Sequence, residues 1–108
     1  MNRTDRFLAA VVKAILAVTP DALEIWFHGS RTTGTAKRNS DWDFLVVFDT
    51  RERSNELAYA SGPLARLQYV DGRRTDIQSA CTKDAEHEAG VLWWAIHEGR
   101  RLYPPPSP

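Results

Sequence analysis

Helical and extended patterns alternate along this sequence, and the alternation predicts an α/β domain. Three observations carry that expectation. Apolar residues between Phe7 and Leu16 recur at helical spacing. Trp42 to Phe48 is a nearly continuous apolar run, the pattern of a central strand covered on both faces. Val91, Leu92, Ala95 and Ile96 then return to helical spacing ahead of Gly99.

The elements follow in order. Phe7, Leu8, Val11, Val12, Ile15 and Leu16 draw one apolar stripe, so the first segment is an amphipathic helix expected to pack on a sheet. Thr4 is a candidate cap, Asp5 suits the first turn, and Thr19-Pro20 ends the helix. Leu23 to His28 alternates and is rich in β-formers, which predicts the first strand. Gly29-Ser30 closes it, and the small polar stretch Thr32 to Ala36 suggests a short helical turn leading into the loop Lys37 to Ser40. After Trp42–Phe48 comes a polar stretch from Asp49 to Asn55, then a helix around Asn55 to Ala60, broken by Gly62-Pro63. Leu67–Val70 and Arg73–Gln78 flank Asp71-Gly72, a strong hairpin signal. From Thr82 the pattern is helical, with Thr82 or Asp84 as caps. Leu102-Tyr103 suggests a last short strand. The expected organisation is one domain over residues 1–103, followed by an extended, mobile Pro-rich tail over residues 104–108.

Composition narrows the function. Hydrophobic residues make up 43% and charged residues 26% of the 108 positions, as in ordinary globular proteins. Fourteen Lys plus Arg balance fourteen Asp plus Glu. That balance argues against a generic polyanion binder, so direct nucleic-acid binding is not expected, although a local basic patch is compatible with it. The single cysteine, Cys81, allows no internal disulfide and no thiolate zinc site. Phe7 to Val18 is too short to span a bilayer and Lys13 interrupts it; with no clear signal peptide, a cytoplasmic location is expected.

The residues that suggest chemistry are few. Asp41 and Asp43 are two apart at the start of a predicted strand, so both carboxylates project from one face with Cα atoms roughly 6.5 Å apart. Such a pair suits Mg²⁺, which takes oxygen ligands and usually shares its shell with substrate phosphates. A third carboxylate would allow two ions about 4 Å apart, the arrangement used in phosphoryl transfer. Asp76 is the best third candidate: Asp71 is explained by its turn, and Asp49 lies at the far end of the strand. Gly29 lets backbone approach a phosphate closely, and Ser30, opening a helical turn, offers N–H groups and a hydroxyl. An isolated Asp-x-Asp is more often a solvated strand edge, and a lone Gly-Ser is usually only a turn. Their combination, in this order on successive strands, carries the specificity.

Gly29-Ser30, ten intervening residues and Asp41-x-Asp43 form the pattern G-S-x(10)-D-x-D. With the run HGSRTTGTAKRNSDWDFLVVFD and the ending from Ile96 to Tyr103, the chain resembles the minimal nucleotidyltransferases of the polymerase-β-like superfamily over residues 20–103. The resemblance implies an α/β fold with a small mixed β-sheet flanked by helices, and a site for two Mg²⁺ ions. It implies transfer of a nucleoside monophosphate, commonly AMP from ATP, with release of pyrophosphate. Gly29 and Ser30 then match the phosphate-binding pair, Asp41 and Asp43 the metal ligands, and Asp76 the third carboxylate. Arg31 follows Ser30 as in the family, which suits contact with phosphate; a surface salt bridge is the competing reading.

Members of this family often resemble antitoxins that adenylylate a tyrosine of a HEPN-family RNase partner. These residues leave no room for an added acceptor domain, so the acceptor is expected to be presented by another molecule. A non-catalytic subunit that neutralises its partner by contact is the alternative, and a homodimeric antibiotic-modifying enzyme is a weaker third. Lys37 and Arg38 read as a solvated loop, His28 and His97 as structural. Trp93-Trp94 is the oddest surface candidate, with packing of both rings against separate core neighbours the favoured expectation.

Overall fold

A computed structural model describes residues 1–58 and 62–106. The elements are α1 (Arg3–Val18), β1 (Glu24–His28), α2 (Ser30–Thr33), β2 (Trp42–Phe48), α3 (Arg51–Ala58), β3 (Tyr69–Val70), β4 (Arg73–Cys81), α4 (Val91–Glu98) and β5 (Arg100–Tyr103). Short 3₁₀ turns cover Pro63–Arg66 and Thr82–Glu86. The sheet runs β3-β4-β2-β1-β5. β1 is antiparallel to β2 and to β5, β4 is parallel to β2, and β3 is antiparallel to β4, so the sheet is mixed as expected.

β2 earns its central place by composition. Phe44 through Phe48 are each no more than 1% exposed. Phe44, Val46 and Phe48 enter one core layer with Phe7, Leu8, Val11 and Ile15 of α1. Leu45 and Val47 enter the other with Leu92 and Ala95 of α4 and with Trp26. Alternation along a strand thus sorts its residues between two helical layers. Burying phenylalanines of this kind is worth several kcal/mol each: Phe→Ala in a core costs about 3–5 kcal/mol.

Several local expectations shift. Asn2, not Thr4, caps α1, its Oδ1 accepting from the Asp5 N–H at 2.8 Å. α1 stops where the buried Thr19 donates both its N–H and its hydroxyl to the Ile15 carbonyl, each at 2.8 Å. α3 starts at Arg51 rather than Asn55. Thr50 makes this possible: its carbonyl accepts from the Ser54 N–H and its hydroxyl from the Arg53 N–H. The end expected at Ala60 lies outside the described residues. The hairpin turn is Asp71-Gly72, with φ of 49° and 78°. β4 runs three residues further than expected, to Cys81, because Thr75 to Cys81 pair with β2 all the way to Phe48.

The apolar stripe expected on α4 also narrows. Leu92 and Ala95 are buried, but Val91 and Ile96 are exposed. Leu92 and Ala95, three apart, share the face that meets the sheet, and Val91 and Ile96 lie to either side of it. Among the described residues no helix is long and apolar enough to cross a membrane.

Gly99 links α4 to β5 at a point with no spare room. A Cβ there would lie 2.5 Å from the Ala95 carbonyl oxygen and 2.7 Å from that of Phe27. Both obstacles are backbone, so the helix would have to lift from β1. Gly99→Ala is therefore expected to destabilise the fold by about 1–3 kcal/mol in urea unfolding. An unchanged midpoint would show that the two backbones can separate freely.

Candidate active site

The site grows from the end of β1. Gly29 follows His28 with φ +86°, a conformation that L side chains rarely adopt. A Cβ on it would stand 2.3 Å from Asp43 Oδ2. Glycine is thus required twice, by backbone angle and by the carboxylate seated against it. The next residue opens α2, where the first N–H groups have no partner inside the helix. Thr32 pins the turn, donating its N–H and its hydroxyl to the Gly29 carbonyl at 3.0 and 2.7 Å.

Strand register brings the acids together. Asp43 lies opposite His28 of β1 and opposite Asp76 of β4. Adjacent strands are about 4.8 Å apart, so Asp43 and Asp76 share a row on one face of the sheet. Asp41 falls one residue before β2 rather than within it. The crowding leaves a signature on Asp43, whose pKa is pushed up to about 6. Burial is the main cause, the charges of Asp76 and Asp41 add to it, and Arg31 opposes it. Carboxylates so placed repel one another until a cation or a proton intervenes.

Residues 9–95 match the profile of the nucleotidyltransferase domain. The chain belongs to the nucleotidyltransferase domain family. No match is found among curated protein sequences. Among solved structures the fold is similar to one described as a toxin-antitoxin with AMP-PNP, with 20% identity and a TM-score of 0.51. That match covers 89% of this chain and 72% of the other. A second, a mutant of the toxin-antitoxin MntA-HpeT, has 18% identity, a TM-score of 0.49 and the same coverages, 89% and 72%.

In this nucleotidyltransferase domain the acids do not form a closed cage. Among the described residues no three His, Cys, Asp or Glu side chains are gathered as a complete metal site. Arg74 stands beside one of the acids, its Nε 3.3 Å from Asp41 Oδ1. The donor set still fits Mg²⁺, which commonly binds through one or two carboxylates and completes its shell with water and substrate phosphates. Arg74 was not among the expected site residues. It precedes Asp76 by two on a strand and so shares its face, a signal available from the period-2 rule.

Arg31 is held by its own loop. Its guanidinium donates to the Ser40 carbonyl at 2.7 and 3.2 Å and to the Arg38 carbonyl at 3.4 Å, and lies 4.3 Å from the Trp42 ring centre. It thus braces the segment that delivers Asp41, and no salt bridge to it is formed among the described residues. Lys37 and Arg38 are exposed, as a solvated loop requires. His28 is mostly buried; burial lowers its pKa, while the Phe44 backbone and the Asp76 charge act the other way. Its Nε2 has no hydrogen-bond partner among the described residues. Trp93 and Trp94 are not both core residues. Trp94 is 44% exposed, and Trp93 stacks on His97 with ring centroids 3.9 Å apart. The sheet-facing positions of α4 are already taken by Leu92 and Ala95.

Ionised Asp43 opposes folding, because its proton is held more tightly in the folded chain than in the unfolded one. Its contribution to stability is greatest below about pH 4 and falls as pH rises through about 6. Asp43→Asn is therefore expected to melt higher than the natural chain at pH 7.5 in EDTA, with the difference shrinking towards pH 4. A variant that melts lower at pH 7.5 would contradict the crowding described for this carboxylate.

Proposed function

We propose that this domain transfers AMP from ATP to a hydroxyl of a partner protein, with a tyrosine of a HEPN-type toxin as the acceptor and the cytoplasm as the setting. The observation that carries the reading is the seating of Asp43 against Gly29, with Asp76 beside it in register. The backbone we assign to the phosphate and a carboxylate we assign to the metal are in contact there. The solved toxin-antitoxin structure with AMP-PNP, similar in fold, supports both the nucleotide and the kind of partner.

In this reading Gly29 and the first N–H groups of α2, with the Ser30 hydroxyl, hold the triphosphate oxygens. Arg31 keeps the following loop in place and contributes positive charge close to the phosphates. Asp41, Asp43 and Asp76 would hold two Mg²⁺ ions, which when bound neutralise charge on the attacking and leaving oxygens. The acceptor oxygen attacks the α-phosphorus, and its bond forms as the bridging oxygen to the β-phosphorus departs with pyrophosphate. Asp76, the most exposed of the three acids and on the β4 side, takes the acceptor proton. A relative that only neutralises its partner by contact is the second reading. The exposed Trp94, Val91 and Ile96 on α4 favour an interacting face and are compatible with either.

The test is to incubate the chain with ATP, Mg²⁺ and a HEPN-type protein of the kind proposed as its partner, and to weigh the partner intact. An added adenylyl group is expected, with Asp41→Asn and Asp43→Asn each slowing its appearance on the order of a hundredfold or more. Gly29→Ala is expected to act as severely, since its methyl group would displace the Asp43 carboxylate. No adduct, together with equal inhibition of the partner by the Asp43→Asn variant, would favour neutralisation by contact instead.

A further inference from the structure

Behind the acids, on the other face of the same strand ends, stands a group of arginines that the reaction above does not use. Arg3 and Arg6 lie on the first turns of α1 and Arg73 opens β4. With Phe7 and Asp71 they line a hollow of about 240 Å³. Arg73 is held over aromatic rings, 4.7 Å from the Phe7 centroid and 5.1 Å from that of Trp42. Arg3 and Arg6 are exposed. Among the described residues none of the three joins an ion pair, whereas Arg51, Arg53, Arg74 and Arg100 all do.

The chain carries no net charge, so three unpaired guanidiniums against one rim carboxylate, Asp71, are a local excess. Such a cluster raises the local concentration of anions, and the guanidinium fork matches a carboxylate or a phosphate. One feature favours carboxylates on a protein over a nucleic-acid strand. Phe7 is only 2% exposed beneath Arg73, so it offers no open face for base stacking.

Position ties the cluster to the site. Trp42, under Arg73, lies between Asp41 and Asp43, and Arg74, next in chain, pairs with Asp41. A segment seated in the hollow is therefore within a few residues' reach of the acids. We propose that Arg3, Arg6 and Arg73 dock an acidic segment of the acceptor protein, with Asp or Glu side chains flanking the hydroxyl that is modified. This rests on the nucleotidyl-transfer reading of the site, and it adds a specificity surface to that reading.

The test uses two fluorescent peptides of equal length, each with one central tyrosine, one flanked by Asp and Glu and the other by Asn and Gln. Binding to the full chain is read by anisotropy without nucleotide, and adenylyl transfer by mass with ATP and Mg²⁺. The acidic peptide is expected to bind about tenfold more tightly at low salt, with the preference fading as salt is raised. Arg3→Gln/Arg6→Gln, on exposed positions and checked by melting, is expected to remove that preference, and Arg6→Gln alone to reduce it. Equal binding of the two peptides, or a preference untouched by the double variant, would overturn the proposal. So would a twelve-nucleotide uridine RNA that binds more tightly than the acidic peptide and loses its affinity in the double variant. A binding preference that behaves as expected, with no adenylyl transfer to either peptide, would support the docking surface and count against the transfer reading.

Discussion

The pairing of β2 with a neighbour on each side is the constraint on which the rest depends. β1 runs antiparallel to it and β4 parallel, so His28, Asp43 and Asp76 occupy one row across three strands. Hydrogen-bonded register fixes their relative height to within a fraction of a residue, and the pleat fixes their face. A slip of one residue in β2 would send Asp43 to the α1 layer and Phe44 to the open end. The buried run Phe44 to Phe48 resists that slip because both layers are filled, one by α1 and the other by α4. Core packing thereby sets the position of the acids without touching them.

The same ladder creates a conflict that the fold tolerates. Three carboxylates share one strand end, Asp43 is pressed against backbone with its pKa raised to about 6, and Arg31 and Arg74 stand near as countercharge. Unfavourable electrostatics of this kind are characteristic of sites that await a charged ligand. Support comes from the opposite face of the strand. Trp42 stacks on Phe27 at 5.7 Å and meets the edge of Phe7 at 4.8 Å, with Arg31 and Arg73 over its ring. The residue between the two acids is therefore clamped, which limits the freedom of both neighbours.

Two other surfaces of the domain differ in character. Behind Trp42 the arginines of α1 and β4 make a basic hollow, while α4 presents Trp94, Val91 and Ile96 to solvent. Ion pairs elsewhere serve the scaffold. Arg53 joins Asp21 and Glu56, and Arg51 holds Asp84, whose carboxylate also accepts the Cys81 N–H at the start of the 3₁₀ turn.

Much of this was legible in the residues themselves. The bounds of β2, the Asp71-Gly72 hairpin, the glycine after β1 and the alternation of helices with strands follow from local chemistry: apolar run length, turn-forming residues and period. So does the pairing of Gly29-Ser30 with Asp41-x-Asp43, which depends only on spacing. Where local signals compete, the sequence was less informative. Thr4 and Asn2 are both good caps, and only the backbone path selects Asn2. Val91 and Ile96 look as apolar as Leu92 and Ala95, and only the angle of α4 against the sheet decides which are covered. The tertiary structure alone decided that Asp76 faces Asp43, that Asp43 rests on Gly29, that Arg74 reaches Asp41 and that Arg31 turns to its own loop. The longest of those contacts join residues 33 positions apart through strand register, and register is a property of the assembled sheet that no single strand contains.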